Sequence, residues 1–274
     1  MPGRSDFYEK YLETLHHWRG RGWSVASTDW RGQCGSGRLG ADPHTGHIDD
    51  FAIWVDDLAQ LWNAWREATP GPHVLVAHSM GGHVALRALA QQRIDPAATV
   101  LAAPMLGMVP GFGAIPLSWL HALARHMASR GDPRRPAWQG SERPGWFPDD
   151  RLARLTHDKA RYDDEIWWRA QRPELVMGAP SWGWIEAALR SIRLLRSPGF
   201  LETISGPVLI LASRADRLVE FGAIERAATR IAGCRLEAFG AEVRHEILRE
   251  EDRVRDTVLA LIDGFLDAAT QGGA

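Results

Sequence analysis

Ser79 stands in a short stretch of this chain whose residue types suggest a nucleophile. The stretch reads AHSMGG (77–82), with small residues two before and two after the serine. This spacing fits the pattern G-x-S-x-G with alanine in first position, in which a sharp turn between strand and helix projects the serine hydroxyl above a sheet. The start of a helix also favours negative charge that develops near it. The pattern therefore predicts a nucleophilic serine; the alternative is a serine that only caps an ordinary helix.

A nucleophilic serine needs a base and a group that orients the base. When such a site is built on parallel strands, the order along the chain is serine, acid, histidine. Of the eleven histidines, only His245 lies beyond residue 157, in a predicted loop before the last helix. Asp216 follows the preceding predicted strand, with Glu220 as the second choice for the acid. The alternatives are a turn or helix cap for Asp216 and a surface-loop histidine for His245.

Two further motifs indicate other chemistry but lack its context. GSGRLG (35–40) spells G-x-G-x-x-G, yet a proline and a polar loop follow where a dinucleotide site needs a helix. His245-Glu246 does not continue to H-E-x-x-H, so we expect no zinc site. We also expect no other metal and no cofactor. His78 and His83 flank the serine, and we interpret both as packing residues.

The elements that must position these residues alternate along the chain. Helical periodicity or a capped apolar face predicts helices at 6–19, 49–68, 80–92, 220–232 and 250–269. Nearly continuous apolar runs predict buried strands at 73–79, 98–105 and 206–213, and we interpret 23–29 and 235–240 as further short strands. This order predicts an α/β fold with a doubly wound, mostly parallel sheet, formed by residues 1–105 and 201–274. Residues 106–200, here called the cap segment, interrupt the alternation, and we expect them to form a helical cap.

Composition narrows the class of protein. The 274 residues are 45% hydrophobic with a net charge of −2, which is ordinary for a globular enzyme and gives no sign of nucleic-acid binding. No apolar run has the length of a membrane span, and the first twenty residues lack the apolar core of a signal peptide. Two cysteines are too few for a disulfide framework. We therefore expect a cytoplasmic protein.

Four stretches resemble the α/β-hydrolase superfamily, in its monoacylglycerol lipase and lysophospholipase branch. DWRGQCGSG (29–37) resembles D-x-R-G-x-G-x-S, with Cys34 where glycine is usual, and AHSMGG resembles G-H-S-M-G-G. ADRLV (215–219) resembles D-x-[LV]-V, and HEIL (245–248) resembles H-E-[IL]-L. The resemblance covers essentially the whole chain.

The resemblance implies a role for each of these residues. Ser79 would be the nucleophile, His245 the general base and Asp216 the group that orients it. The backbone N–H groups of Met80 and Arg4 would form the oxyanion hole. The implied activity is hydrolysis of carboxylic esters of acyl lipids, either lysophospholipids or monoacylglycerols, through an acyl-enzyme. The alternatives are a catalytically impaired hydrolase-fold protein and an acyltransferase that uses the same residues.

The cap segment carries seven of the thirteen tryptophans. Such large amphipathic side chains suit an apolar acyl tunnel, or a lid in transient contact with a membrane surface, although plain packing would also use them. Four arginines of the same segment could meet a phosphate head group or form a solvated face: Arg130, Arg134, Arg135 and Arg143. The implied partner is thus an acyl-ester lipid, and the implied location is the cytoplasm with peripheral membrane contact.

The chain opens on PGRS (2–5), which we interpret as the loop that carries the Arg4 oxyanion donor. In the branch that the sequence resembles, this loop reads H-G-x-G and follows a strand, whereas here Pro2 replaces the histidine and no such strand precedes it. We therefore expect this chain to be a shortened form of a longer protein in which the N-terminal strands are missing.

Overall fold

A computed structural model describes residues 1–109 and 115–271. Its sheet has four parallel strands that lie side by side in chain order: β1 Val74–His78, β2 Ala98–Ala102, β3 Val208–Ser213 and β4 Arg235–Phe239. Val76 lies opposite Val100, and Leu101 lies opposite Ile210. Every residue of β2 and β3 is buried, because their apolar runs are covered on both faces. The predicted parallel α/β sheet is confirmed.

Helices flank this sheet. They are α1 Leu12–Gly20, α2 Phe51–Ala68, α3 Ser79–Ala90, α4 Leu117–Ser129, α5 Arg151–Leu155, α6 Lys159–Gln171, α7 Trp182–Arg196, α8 Phe221–Ala228 and α9 Asp252–Gln271. Helix α2 begins at Phe51 because the Asp50 carboxylate accepts the Ala52 N–H at 2.8 Å and so satisfies a donor that has no partner inside the helix. Helices α4 to α7 all fall within the cap segment, where the regular alternation stops.

The expected strand at 23–29 is wrong: within residues 1–109 and 115–271 this stretch has no strand partner. A cavity of about 150 Å³ separates residues 23–27 from β1, and it is lined by apolar side chains such as Val25, Leu58 and Val76. A strand is stabilised by hydrogen bonds to a neighbouring strand. Because a cavity lies between residues 23–27 and β1, this stretch has no neighbour to bond among the described residues and forms no strand. The edge of β1 that faces this cavity is left mostly unpaired.

Met1 makes the contact with that edge. Its amine donates to the Val76 carbonyl at 2.6 Å, and the His78 N–H donates to the Met1 carbonyl at 3.0 Å. The amine is buried, and burial lowers its pKa to about 5. The Trp30 indole N–H donates to the Pro2 carbonyl at 2.8 Å. These bonds carry the chain from Met1 over the start of α3, so that residues 2–5 lie beside Ser79.

Candidate active site

Ser79 lies where β1 passes directly into α3. Its φ of +49° falls in the left-handed region, which a side chain other than glycine rarely adopts, so the backbone turns sharply at this residue. A Cβ at Gly81 would lie 2.3 Å from the Pro2 carbonyl oxygen. The residue two positions after the serine must therefore be glycine, because the loop 2–5 approaches α3 here.

Three predicted site residues meet at this turn. The Ser79 hydroxyl lies 2.9 Å from Nε2 of His245, whose Nδ1 lies 2.7 Å from Oδ2 of Asp216. His245 is only 5% exposed and Ser79 only 8%. Oδ1 of Asp216 accepts the N–H groups of Leu218 and Val219 at 2.7 and 3.0 Å, which turns Oδ2 towards the histidine.

Glu220, the second choice for the acid, lies elsewhere. Its carboxylate accepts from Arg226 at 2.7 Å and from Arg196 at 3.3 Å. The structure therefore brings Asp216, and not Glu220, to His245.

Asp216 and His245 each stabilise the charged form of the other. Burial alone would raise the pKa of Asp216, but the charge and hydrogen bond of His245, with two backbone N–H groups, hold that pKa below its usual value. Burial alone would lower the pKa of His245, but Asp216 raises it above its usual value. A carboxylate that fixes the Nδ1–H tautomer leaves Nε2 free to accept a proton from the Ser79 hydroxyl.

The loop 2–5 presents a free backbone donor beside the serine. The Gly3 N–H donates to Oδ2 of Asp6 at 3.0 Å, and the Ser5 N–H donates to Oε1 of Gln33 at 2.8 Å. Between them, the N–H of Arg4 donates to no acceptor within residues 1–109 and 115–271. A Cβ at Gly3 would lie 3.0 Å from the Cβ of Ser79, so the loop touches the serine.

Met80, the other predicted donor, lies in the first turn of α3. The first N–H groups of a helix lack partners inside the helix, so this one is available to a ligand. Sequence reasoning missed Asp6 and Gln33, which hold the loop on either side of Arg4. Gln33 lies within the stretch 29–37 that resembles the family motif, and this is the only feature of the sequence that points to it. No feature of the sequence points to Asp6.

The two histidines beside the serine differ in their surroundings. His83 is fully buried, with Nδ1 2.8 Å from the Met105 carbonyl and Nε2 2.7 Å from the Ser191 hydroxyl, which confirms it as a packing residue. His78 packs its ring 4.8 Å from that of His245, measured between centroids. Burial lowers the pKa of both His78 and His83 to about 4, so both are neutral at pH 7.

The described residues contain neither a metal-binding cluster nor a membrane-spanning helix. In the part of the chain that the structure describes, no group of three or more His, Cys, Asp or Glu side chains is arranged to hold a metal ion. Within the same residues, no helix combines the length and apolar character needed to cross a membrane.

Two of the four cap-segment arginines are bonded to their own loop: Arg134 to the Asp132 carboxylate and Arg135 to the Asp132 carbonyl.

Comparison with known proteins places the chain in a family. The model of the Hydrolase_4 family, described as serine aminopeptidase S33, matches residues 1–252, and the chain belongs to this family. It is an α/β-hydrolase and a carboxylic ester hydrolase. The predicted family resemblance and fold class are confirmed.

The curated relatives support this membership, and the solved structures support the fold. Lysophospholipase L2 of Escherichia coli is 35% identical over 281 residues, covering 96% of this chain and 78% of that protein. Probable lysophospholipase L2 of Haemophilus influenzae is 26% identical over 272 residues, covering 97% of this chain and 82% of that protein. Among solved structures, monoglyceride lipase from Saccharomyces cerevisiae has a TM-score of 0.73 at 20% identity, covering 98% of this chain and 86% of that one. Monoacylglycerol lipase from Paleococcus ferrophilus has a TM-score of 0.71 at 19% identity, covering 97% and 92%.

Proposed function

We propose that Ser79, His245 and Asp216 act as a catalytic triad that hydrolyses carboxylic esters of acyl lipids. The observation that carries the proposal is the unbroken chain of contacts from the Ser79 hydroxyl to Nε2 of His245 and from Nδ1 to Asp216, at 2.9 and 2.7 Å. The first distance allows the serine to pass its proton to the base, and the second allows the carboxylate to orient the base.

The chemistry follows from this geometry. The Ser79 oxygen attacks the ester carbonyl carbon while its proton passes to Nε2 of His245. The tetrahedral intermediate collapses, and the alcohol leaves with that proton, so Ser79 carries the acyl group. Water then attacks the acyl carbon, gives a proton to Nε2, and the fatty acid leaves as Ser79 recovers its hydrogen. Asp216 stays ionised throughout and stabilises the imidazolium that forms twice.

The N–H groups of Met80 and Arg4 are proposed to bind the carbonyl oxygen as it becomes an oxyanion. Backbone donors suit this role because they are already oriented and need no rearrangement during the reaction. The N–H of Arg4 has no acceptor in the part of the chain that the structure describes, and it belongs to a loop that touches Ser79; both observations support the assignment.

The Gly81→Ala variant is expected to lower kcat by roughly 10²-fold, the cost of one lost oxyanion donor. The added methyl group would lie 2.3 Å from the Pro2 carbonyl oxygen, so the loop 2–5 must move away from Ser79. Steady-state hydrolysis of a soluble short-chain ester measures the effect. Gly264→Ala is the matched control, because a Cβ there meets nothing within 4 Å. A folded Gly81→Ala enzyme with the kcat of wild type would contradict the role of the loop.

The substrate class is proposed from the relatives, whose names include lysophospholipase and monoacylglycerol lipase. A lysophospholipid and a monoacylglycerol with the same acyl chain should each be offered to the enzyme, with release of fatty acid measured. Fatty acid from either one supports the proposal, and the faster substrate identifies the head group. No release from either, in a protein whose Ser79 is labelled by a fluorophosphonate, would contradict the lipid assignment.

Product analysis and fluorophosphonate labelling distinguish the two alternatives, an acyltransferase and a hydrolase-fold protein without activity. When an alcohol is added, an acyltransferase would produce a new ester, whereas a hydrolase would still release free fatty acid. A hydrolase-fold protein without activity would fail to label with a fluorophosphonate, since labelling requires an activated serine.

An exposed apolar stripe on the cap segment supports the proposed contact with a lipid surface. Trp119 and Leu123 lie one turn apart on α4 and are 73% and 53% exposed, with Ile115 four residues earlier at 39%. Arg130, which caps the C-terminal end of α4, adds exposed positive charge. Apolar side chains beside cationic ones are typical of helices that lie in a membrane interface.

Changing both Trp119 and Leu123 to serine is expected to weaken binding to anionic vesicles by about tenfold or more, since each side chain gains on the order of 1.5–3 kcal/mol by burial. Cosedimentation with vesicles measures binding, and hydrolysis of a soluble ester should stay as in wild type. The control is Leu12→Ser, which removes another exposed leucine, 46% exposed, from α1. Equal vesicle binding by all three proteins would exclude α4 as the contact.

A further inference from the structure

A single buried ammonium group joins three separate parts of the chain. Nζ of Lys10 lies 2.6 Å from Oδ1 of Asp6, 2.6 Å from Oε1 of Glu246 and 3.2 Å from Oε2 of Glu165. The Lys10 side chain is 0% exposed. Burying a charge this deeply is unfavourable unless it is paired, so the three carboxylates are what allow it to be there.

The first of these carboxylates holds the loop 2–5. Oδ2 of Asp6 accepts the Gly3 N–H at 3.0 Å and the Tyr11 hydroxyl at 2.8 Å, while Oδ1 is taken by Lys10. The Gly3 N–H belongs to the residue directly before Arg4, whose own N–H is the proposed oxyanion donor. Lys10 therefore fixes the orientation of the carboxylate on which the position of that donor depends.

The second carboxylate belongs to the loop of the catalytic histidine. Glu246 follows His245 directly; one of its oxygens is bonded to Lys10, and the other accepts from Nε of Arg249 at 3.1 Å. The Glu246 N–H donates to the Leu155 carbonyl at 2.8 Å. The residue next to the base is thus held on both its backbone and its side chain.

The third carboxylate comes from the cap segment. Glu165 of α6 is fully buried, and its Oε1 accepts from Arg151 at 2.5 Å and from Arg169 at 2.8 Å. Together with Arg249, these side chains form a buried cluster of four cations and three anions. Lys10 is the member that contacts all three anions.

We propose that Lys10 is a positioning residue that fixes the distance between the oxyanion loop 2–5 and the base His245. The inference rests on the proposed function. One carbonyl group must meet the Arg4 N–H and the serine activated by His245 in the same complex. These two groups lie on segments about 240 residues apart in the chain. Lys10 joins the segments through Asp6 and Glu246, with each contact at 2.6 Å.

The cluster also sets the charge around the base. His245 faces Asp216 and Glu246 on its own side, Asp6 from the N-terminal segment and His78 from β1. Burial lowers the pKa of His245, whereas Asp216, Glu246 and Asp6 each raise it. The ammonium of Lys10 is paired with the carboxylates of Glu246 and Asp6. Removing Lys10 is expected to raise the pKa of His245, and removing the charge of Glu246 is expected to lower it.

The test compares Lys10→Met and Glu246→Gln with a matched control, Lys159→Met. Lys159 is the other lysine of the chain; it is exposed, and Asp163 is its ion-pair partner among the described residues. Lys10→Met is expected to lower kcat by roughly 10²-fold, as a displacement of about 1 Å does, with KM within about twofold of wild type. The acid limb of kcat/KM should move to higher pH in Lys10→Met and to lower pH in Glu246→Gln. If Lys10 has only a structural role, the variants would have a lower melting temperature, but the acid limb of kcat/KM would stay at its wild-type pH in both.

Asp6→Asn keeps the test decisive where Lys10→Met does not fold. It retains the shape of the side chain but loses the charge, and we expect a lower kcat and an acid limb at lower pH. Folded variants with the kcat and acid limb of wild type would overturn the inference. The proposed function is tested separately in the wild-type protein: absence of fluorophosphonate labelling there would refute the triad, whereas wild-type labelling with unaffected variants would refute only the role of Lys10.

Discussion

Ser79→Ala is expected to lower kcat/KM for ester hydrolysis by roughly 10⁴–10⁶-fold, as loss of the nucleophile does in other serine hydrolases. The only side-chain contact of the Ser79 hydroxyl within the described residues is Nε2 of His245, so alanine removes the reacting atom and little else. Fatty-acid release and fluorophosphonate labelling measure the effect, and both should be lost while the melting temperature stays close to that of wild type.

Ser205→Ala provides the matched comparison, because Ser205 is exposed and lies away from the site. It should leave both readouts unchanged. Retention of more than a few per cent of the wild-type rate by Ser79→Ala would show that another group carries the reaction.

Asp216→Asn is expected to lower kcat by about 10⁴-fold near neutral pH, as loss of the orienting carboxylate does in a serine protease. The Asn oxygen would still accept the N–H groups of Leu218 and Val219, so the amide nitrogen would face Nδ1 of His245. An amide donates to Nδ1 and leaves the ring proton on Nε2, which then cannot accept a proton from Ser79. A pH series of kcat measures this, and the loss should be smaller at high pH, where hydroxide assists.

Glu220→Gln is the control for that variant, since both residues follow β3 and both are acidic. Glu220 is paired with Arg226 and Arg196, so its change should alter kcat by no more than a few-fold. If Glu220→Gln lost activity and Asp216→Asn kept it, the acid would be Glu220.

Local pattern was enough to predict most of the fold. The apolar runs of β2 and β3 show in the sequence because burial on both faces requires continuous apolar residues. β4 has a weaker pattern, since none of its residues is fully buried. In residues 23–29, Trp23 and Val25 alternate with small residues, a pattern that suits a strand, yet they form none. A strand also needs a neighbour, and the local sequence does not report whether one is present.

The candidate site divides in the same way. Ser79, Asp216 and His245 follow from short motifs and their order along the chain, so they could be named in advance as predictions. The cluster around Lys10 could not, because its contacts join residues up to 236 positions apart and only the fold brings them together. Cys34 lies between these cases: its φ of +44° is in the region that favours glycine, which explains why the motif that it interrupts usually has glycine there.

The loop 2–5 has a consequence for how this enzyme loses activity. It contributes no strand to the sheet, and side chains of Asp6, Gln33 and Trp30 bond its backbone. The side chains of Arg4 and Ser5 donate to the carbonyls of Gly178 and Met177 in the cap segment. The position of the loop therefore depends on how the cap segment packs against it, and the hydrogen bonds among β1 to β4 do not fix that position. A circular dichroism spectrum of the helices and sheet does not report whether the Arg4 amide is in place.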